Sequence, residues 1–383
     1  MQRRKLGVYI PRMDDNCQRI MRGVVRYLHE QGGWELITHE AMPWMPWETL
    51  RRFRGDGMIA MVFTTKEYRA LQRRRMPCVN VCARCETPRL ASVYSDNPQI
   101  GRLAATTLWE QGFRHFAFVG RPGFYHDLAR GAGFQEELQA RTADCAWIEV
   151  KTATDHLDDK LDMSKIMGQL RRLPRPVGIF AAHDHLGCHV LTACRRVGIN
   201  VPHEAAVLGV NDFTLMCETA QPPLSSIRQQ AERTGYEAAQ LLTDIVEGRA
   251  ARQAQLLLPP GEVIHRRSTE TLALDDPEMR EAVLYIRNHL AEAISIEDVA
   301  QHLAMSRRGL DKRFSAAVGH TPGAELRRVR LRRGAELLSQ TKLSITEISA
   351  RCGFAATSSF DRAFREMMGM TPREYRSTHR AEI

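Results

Sequence analysis

Thirteen residues near the C-terminal end of the chain recur fifty positions later. LDKRFSAAVGHTP (310–322) and FDRAFREMMGMTP (360–372) share Asp, Phe, Gly, Thr and Pro at the same places. Copies this short do not close a core alone, so they mark one supersecondary unit used twice. SIEDVA (295–300) and SITEIS (344–349) correspond upstream with the offset shortened by one. Ser295 and Ser344 are predicted N-caps, Ser344 with Glu347 and Thr371 with Glu374 make capping boxes, and both Thr-Pro pairs place proline at a first helical position. Each copy therefore predicts a short helix, a tight turn (HLAMS or RCGFA) and a second helix starting near Ser306 or Ala356, which is a helix-turn-helix. From Pro277 onward there is no strand signal.

The preceding two-thirds follow a different rhythm. Short apolar runs at 6–10, 34–39, 57–63, 78–81, 115–120, 146–150, 178–182 and 205–210 alternate with amphipathic segments at 16–31, 99–111, 128–140 and 186–197, the pattern of parallel sheets covered by helices. At 383 residues the chain exceeds what one core accommodates. We expect a ligand-binding region of two α/β lobes over 1–270, a linker at 271–277 and an all-α region over 278–383. Ligands of open parallel sheets bind beyond the carboxyl ends of the strands. The loops there carry Met13 and Asp14, Phe124 and Tyr125, Asp184, and Asn211 with Asp212. Trp44, Trp47 and Phe124 are candidate stacking faces, and each is equally suited to a core.

With 43% apolar and 26% charged residues, the composition excludes a disordered, collagen-like or disulfide-stapled chain. No apolar run reaches the roughly eighteen residues a membrane helix needs. The N-terminal run Leu6–Ile10 is too short for a signal peptide, so a cytoplasmic protein with no membrane partner is expected. The nine cysteines are odd in number and scattered, as reduced thiols are. Cys78, Cys82 and Cys85 could offer thiolates to zinc, but no fourth ligand follows at suitable spacing. His183, His185 and His189 read more simply as incidental histidines at a helix start. No metal and no cofactor are expected. The net charge of +9 is localised: Leu303–Arg380 holds sixteen Lys/Arg against seven Asp/Glu, and the rest of the chain cancels. A basic helical surface suits DNA, whose counterions are released on binding.

Six pieces in order, SVYSDNPQIGRLAATTL (92–108), GFRHFAFVG (112–120), LARGAGFQEEL (128–138), GIFAAHDHLGCHVLTACRRVGINVP (178–202), LGVNDF (208–213) and PLSSIRQQAERTGYEAAQLL (223–242), resemble the sugar-binding core of LacI/GalR-type repressors, itself similar to periplasmic sugar-binding proteins. The resemblance implies a cleft between lobes, with chain crossings near Asn97 and Pro222. It places Arg130 where RxxGF reaches a sugar hydroxyl and Asp184 in the loop after a strand; a surface arginine and a helix N-cap are the bland alternatives. Where the family has an acidic residue in GxDD, this chain has Asn211 followed by Asp212, which leaves the ligand open. Asp14, Phe124, Arg130, Asp184, Asn211 and Asp212 are the candidate ligand residues.

SITEISARCGFAATSSFDRAFREMMGMTPREYR (344–376) resembles the AraC/XylS family. By that pattern Arg308, Asp311 and Lys312, then Thr357, Ser358 and Arg362, face bases, while Arg307, Arg313 and Arg365 position phosphates. Asp311 and Asp361 suit internal salt bridges equally well. The arginine run Arg327, Arg328, Arg330, Arg332 and Arg333 reads as a phosphate-contacting face, and two readers about 34 Å apart would enter successive major grooves. A sugar core followed by a paired reader, with no reader ahead of residue 5, is the order of xylose-operon regulators of the AraC/XylS family. The resemblance implies a regulator that is not an enzyme, an activator binding double-stranded DNA as a homodimer, sensing a small sugar with D-xylose foremost, and contacting RNA polymerase. Two alternatives stay open. One is a DNA repair enzyme that accepts methyl groups on a zinc-bound cysteine, which would need four paired cysteines near the N-terminus. The other is a core that serves only dimerisation or senses another small molecule.

Overall fold

The computed structural model describes residues 3–10, 14–37, 46–150, 161–270 and 276–379, so Met13, Trp44 and most of the expected linker lie outside the described residues. The chain divides near residue 271 into two compact units.

The first unit holds two six-stranded sheets. Its elements in order are β1 (Arg4–Tyr9), α1 (Asp15–Gln31), β2 (Trp34–Ile37), α2 (Trp47–Leu50), β3 (Gly57–Ala60), α3 (Thr65–Gln72), β4 (Cys78–Asn80), β5 (Ala91–Ser95) and α4 (Asn97–Glu110). There follow β6 (His115–Gly120), α5 (Tyr125–Gln139), β7 (Cys145–Glu149), α6 (Met163–Leu170), β8 (Val177–Ala181), α7 (Asp184–Arg196) and β9 (Ala205–Asn211). The unit closes with α8 (Thr214–Thr219), β10 (Ser225–Arg228), α9 (Ala231–Val246), β11 (Gln255–Leu258) and β12 (Val263–Ile264).

The first sheet runs β11-β5-β4-β3-β1-β2 and is parallel throughout, with Leu6 opposite both Leu36 and Gly57. The second runs β12-β10-β9-β8-β6-β7 and is parallel except where β12 returns beside β10. Helices on both faces explain why the strands are apolar on consecutive residues: Val8, Ile59, Val79, Val93, Phe118, Ile179 and Val207 are all fully buried. α1 is fixed at its start by Asp14, whose carboxylate accepts from the Cys17 amide. It packs on α9 at backbone distance, because a Cβ at Gly23 would lie 1.8 Å from the Glu232 carbonyl oxygen and one at Gly235 1.9 Å from that of Ile20.

All eight expected strands form, with ends displaced by no more than a few residues. β5, β10, β11 and β12 were not anticipated. ASVYS and SSIR are rich in small polar residues, QLLL is an exposed edge, and β12 has two residues. The additional strand β10 moves the second crossing: the chain leaves the second sheet after Arg228 and not near Pro222, and it crosses again between β11 and β12.

The second unit is helical among its described residues: α10 (Pro277–Asn288), α11 (Ile296–His302), α12 (Arg307–Val318), α13 (Pro322–Gln340), α14 (Ile345–Arg351), α15 (Thr357–Met368) and α16 (Pro372–His379). Two apolar cores correspond to the two sequence copies. Met279, Val283, Val299, Leu310 and Phe314 form the first, and Leu338, Ile348, Cys352, Phe360 and Phe364 the second. α13 serves both, giving Leu326 to one and Leu331 and Ala335 to the other; its 19 residues make a rod of about 28 Å. Capping boxes close at Ser295–Asp298 and Ser344–Glu347, and Thr371 and Glu374 exchange the same pair of bonds. The two turns need a left-handed residue, which is Gly353 (φ +72°) in the second copy and Ala304 (φ +52°) in the first.

Candidate effector cleft and nucleic-acid interface

Between the two sheets of the first unit lies a cleft open to solvent. Strand ends and the first turns of α1, α5, α7 and α9 supply its walls, as parallel topology requires. Asp14 reaches it while capping α1. Phe124 presents a ring flanked by guanidinium groups, Arg121 at 3.8 Å and Arg84 at 4.5 Å from its centroid. Arg130 lines the cleft from α5; its Nε donates to Asn97 Oδ1 at 2.9 Å and its Nη1 to the Ala182 carbonyl. Burial lowers the Arg130 pKa to about 10. Asn211, at φ +111°, also faces the cleft and accepts from the Gln229 amide.

Asp184 and Asp212 do not line it. Asp184 is fully buried behind the wall, where Oδ1 accepts from Ser226 Oγ at 2.6 Å and Oδ2 from the Phe213 amide at 2.8 Å. Burial pushes its carboxyl up to about 7. The N-cap of α7 is His183, not Asp184. Asp212 is equally buried: Arg228 donates to its Oδ2 through Nε (2.9 Å) and Nη2 (2.7 Å), and Arg266 donates to Oδ1 at 2.7 Å. Burial pulls its pKa upward, but the two guanidinium groups outweigh that and hold it below the usual carboxylate range. Both carboxylates therefore brace the β9–β10 corner, with their acceptor positions spent internally. Trp47 is half-buried and packs against the core, its ring 5.7 Å from that of Tyr9.

The structure adds wall residues that sequence reasoning passed over. Arg121 directly follows β6 and pairs with Asp127, its Nε 2.9 Å from Oδ2, both side chains buried. His126 Nε2 lies 2.9 Å from Asp127 Oδ1. Burial would raise the Asp127 carboxyl, but His126 and Arg121 hold it well below its ordinary value. His183 accepts from the Leu186 amide through Nδ1, leaving its buried Nε2 without a partner among the described residues. Asn16 Oδ1 is likewise buried and unpartnered. The loop position of Arg121 after a strand was a readable signal; the orphan atoms were not.

Hydrogen bonds join the lobes across this cleft. Arg19 Nη2 donates to the Asp212 carbonyl at 2.9 Å, the Thr214 amide to Asp15 Oδ2 at 2.8 Å, and the Tyr125 and His126 amides to the Arg84 and Ala83 carbonyls at 3.1 and 3.0 Å. Ser95 donates to Gln229 Oε1 at 2.7 Å where the chain crosses. This is a closed arrangement.

In the helical unit, Arg308 and Lys312 are exposed on one stripe of α12, and Ser358, Asp361, Arg362 and Arg365 on the corresponding stripe of α15, with Thr357 half-buried at its start. No ion pair occupies Arg308, Lys312, Asp361, Arg362 or Arg365 among the described residues. Other expected contacts are engaged elsewhere. Arg307 pairs with Glu297 at 2.6 Å and Asp311 at 2.9 Å, so Asp311 takes the internal alternative. Arg313 grips Asp276, the N-cap of α10, at 2.7 Å and also Glu278; its counterpart Ala363 is buried in the second core. Four arginines of the α13 run have partners in its unit: Arg327 pairs with Glu366, Arg328 with Glu325 and Arg333 with Glu336, while Arg330 donates to the Leu290 and Glu292 carbonyls.

Residues 105–269 match a periplasmic binding protein-like domain and 299–378 a helix-turn-helix domain. Fold and sites thus define a DNA-binding transcription regulator with a sensor of the sugar-binding type. The chain is 30% identical over 371 residues to the xylose operon regulatory protein of Escherichia coli (strain K12), covering 94% of each. To its counterpart in Haemophilus influenzae the identity is 28% over 368 residues, again 94% of each. The chain belongs to this family of xylose operon regulatory proteins. A solved structure of a xylose-binding transcription activator superposes with a TM-score of 0.62 at 29% identity, covering 100% of both chains. Full-length relatives that are regulators set aside the methyl-acceptor enzyme. Among the described residues no three His, Cys, Asp or Glu side chains cluster to hold a metal, and no helix is long and apolar enough to cross a membrane.

Proposed function

We propose that a small sugar binds in the cleft, stabilises the closed arrangement of the lobes and changes how the paired helix-turn-helix reads DNA. D-xylose, the sugar named in the relatives, is the first effector to titrate. One observation carries this reading: Asn16 and His183, which line one cleft with Phe124, each keep a buried polar atom, the acceptor Oδ1 and the donor Nε2, without a partner among the described residues. Hydroxyls that both donate and accept satisfy such pairs, and an aromatic face covers the apolar side of a sugar ring. Asp14, Asn16, Phe124, Arg130, His183 and Asn211 make the ligand contacts, whereas Asp184 and Asp212 shape the wall. Arg308, Lys312, Ser358, Arg362 and Arg365 meet DNA, with Thr357 at the helix start. Residues 1–270 sense, 271–277 link and 278–383 read. The regulator acts as a cytoplasmic homodimeric activator in contact with RNA polymerase. An effector moves such an equilibrium only by its differential affinity for the two states. Titration calorimetry of the full chain against pentoses, hexoses and purines tests the reading: heat with a sugar supports it, and no heat or thermal shift with any compound overturns it.

A further inference from the structure

Outside the reader the charges cancel in sum but not in place. In a parallel sheet the helix-to-strand turns fall at the amino ends of the strands, on the side away from a cleft built on the carboxyl ends. In the first sheet the turns 51–56, 73–77 and 247–254 hold eight arginines and two carboxylates, Asp56 and Glu247. Hydrogen bonds draw these turns together. Arg74 donates through Nη1 to the Leu50 and Arg51 carbonyls at 3.0 and 2.8 Å, and through Nη2 to that of Phe53. Arg252 Nη1 donates to the Arg75 carbonyl at 2.6 Å, and the Asp56 amide to the Lys5 carbonyl at 2.9 Å where β1 begins.

Both carboxylates are spent within this face. Asp56 Oδ2 accepts from the Lys5 amide at 2.6 Å, and Glu247 pairs with Arg4 at 2.8 Å and with Arg249. Arg51 is answered by Glu48. Arg52, Arg54, Arg73 and Arg75 are exposed and form no ion pair among the described residues. The fold thus gathers like charges whose mutual repulsion a polyanion relieves. No large apolar side chain is exposed on these turns, so they lack the apolar centre of a protein–protein interface. Guanidinium groups in such a setting suit phosphate oxygens, which they meet through paired charge-assisted bonds.

We propose that this amino-end face of the first sheet is a second DNA-contacting surface, holding phosphates without reading bases, while the paired helix-turn-helix supplies sequence choice. A duplex gripped by the reader raises the local concentration of phosphate for the rest of the same chain. The effector cleft, at the opposite strand ends, uses none of these arginines.

The test is the salt dependence of DNA binding by the full chain, on a duplex selected from a random pool and extended by flanking sequence. Arg52→Ala, Arg54→Ala, Arg73→Ala and Arg75→Ala are combined in one variant, with thermal unfolding to check its fold. Each phosphate contact contributes about 0.9 to the slope of log affinity against log salt, so the variant's slope should be shallower by about 2 or more. The loss should persist when the flanks are scrambled. If the fourfold variant does not fold, the pairs Arg52 with Arg54 and Arg73 with Arg75 are replaced separately, each with an expected change of about 1. A control combining Arg22→Ala, Arg171→Ala, Arg196→Ala and Arg233→Ala removes as many exposed arginines elsewhere and should keep the wild-type slope. A wild-type slope in the variant would overturn the proposal, even if the face proved to bind an acidic protein. An equal loss in the control would also overturn it, by reducing the effect to net charge, and so would a loss confined to one flanking sequence.

Discussion

Replacing Asp184 by Asn separates a bracing residue from a ligand contact, because burial raises its carboxyl from an ordinary 3.8 to about 7. The folded state therefore holds this proton over a range in which the unfolded chain has lost it. A group with a raised folded pKa contributes stability that is complete below the unfolded value and disappears as pH rises through the folded value. For Asp184 that window runs from about pH 4 to pH 7. Three pH units at about 1.4 kcal/mol each make the loss about 4 kcal/mol. His126 and His183, held below their usual value chiefly by burial, act in the opposite sense near the top of this window. The wild type minus Asp184→Asn difference removes their contribution. Urea unfolding of the two proteins at pH 5 and pH 8 should show the variant gaining about 3 kcal/mol relative to wild type between those values. Effector affinity at pH 5.5, where the wild-type carboxyl is mostly protonated, should change by no more than a fewfold. Parallel stability profiles, or a hundredfold loss of affinity at pH 5.5, would refute the assignment of Asp184 to the wall.

Three other perturbations give distinct readouts. Arg308→Ala should cost about 1 to 3 kcal/mol at one base pair of a bound duplex, whereas Arg313→Ala should leave base preference unchanged; competition binding with mutated duplexes distinguishes them. Gly353→Ala forces a Cβ to 2.5 Å from the Leu290 carbonyl at φ +72° and should destabilise the reader by about 2 kcal/mol or more, while Ala304→Gly relieves a left-handed alanine and should gain up to about 1 kcal/mol in thermal unfolding. Arg19→Ala removes the donor to the Asp212 carbonyl across the cleft and should weaken effector binding about fivefold by calorimetry, about 1 kcal/mol.

The architecture was legible because parallel strands buried on both faces read as apolar runs, and because two cap-to-proline copies fifty residues apart left little freedom in the C-terminal third. What escaped the sequence lacked an apolar signature. β10 is Ser-Ser-Ile-Arg, held in place by neighbours such as Ser268, whose hydroxyl accepts from the Ser225 amide. The family pattern carried Arg130 to the cleft, but it could not tell that the Asp184 carboxylate would be consumed by Ser226 and Phe213 while His183, one residue earlier, turned inward. That choice depends on partners 29 and 42 residues away. The same limit applies in the reader, where Arg307, Arg308 and Arg313 are alike in sequence. Only the positions of Glu297 and Asp276 show which arginines are already engaged.

In the proposed mechanism, occupancy of the cleft alters DNA reading. A duplex selected by the full chain from a random pool is titrated with and without a saturating sugar that binds by calorimetry. The affinities should differ by at least fivefold, and the difference should vanish when Asn16 and His183 are both replaced by Ala. Identical affinities with and without bound sugar would show that the cleft and the DNA reader are not coupled.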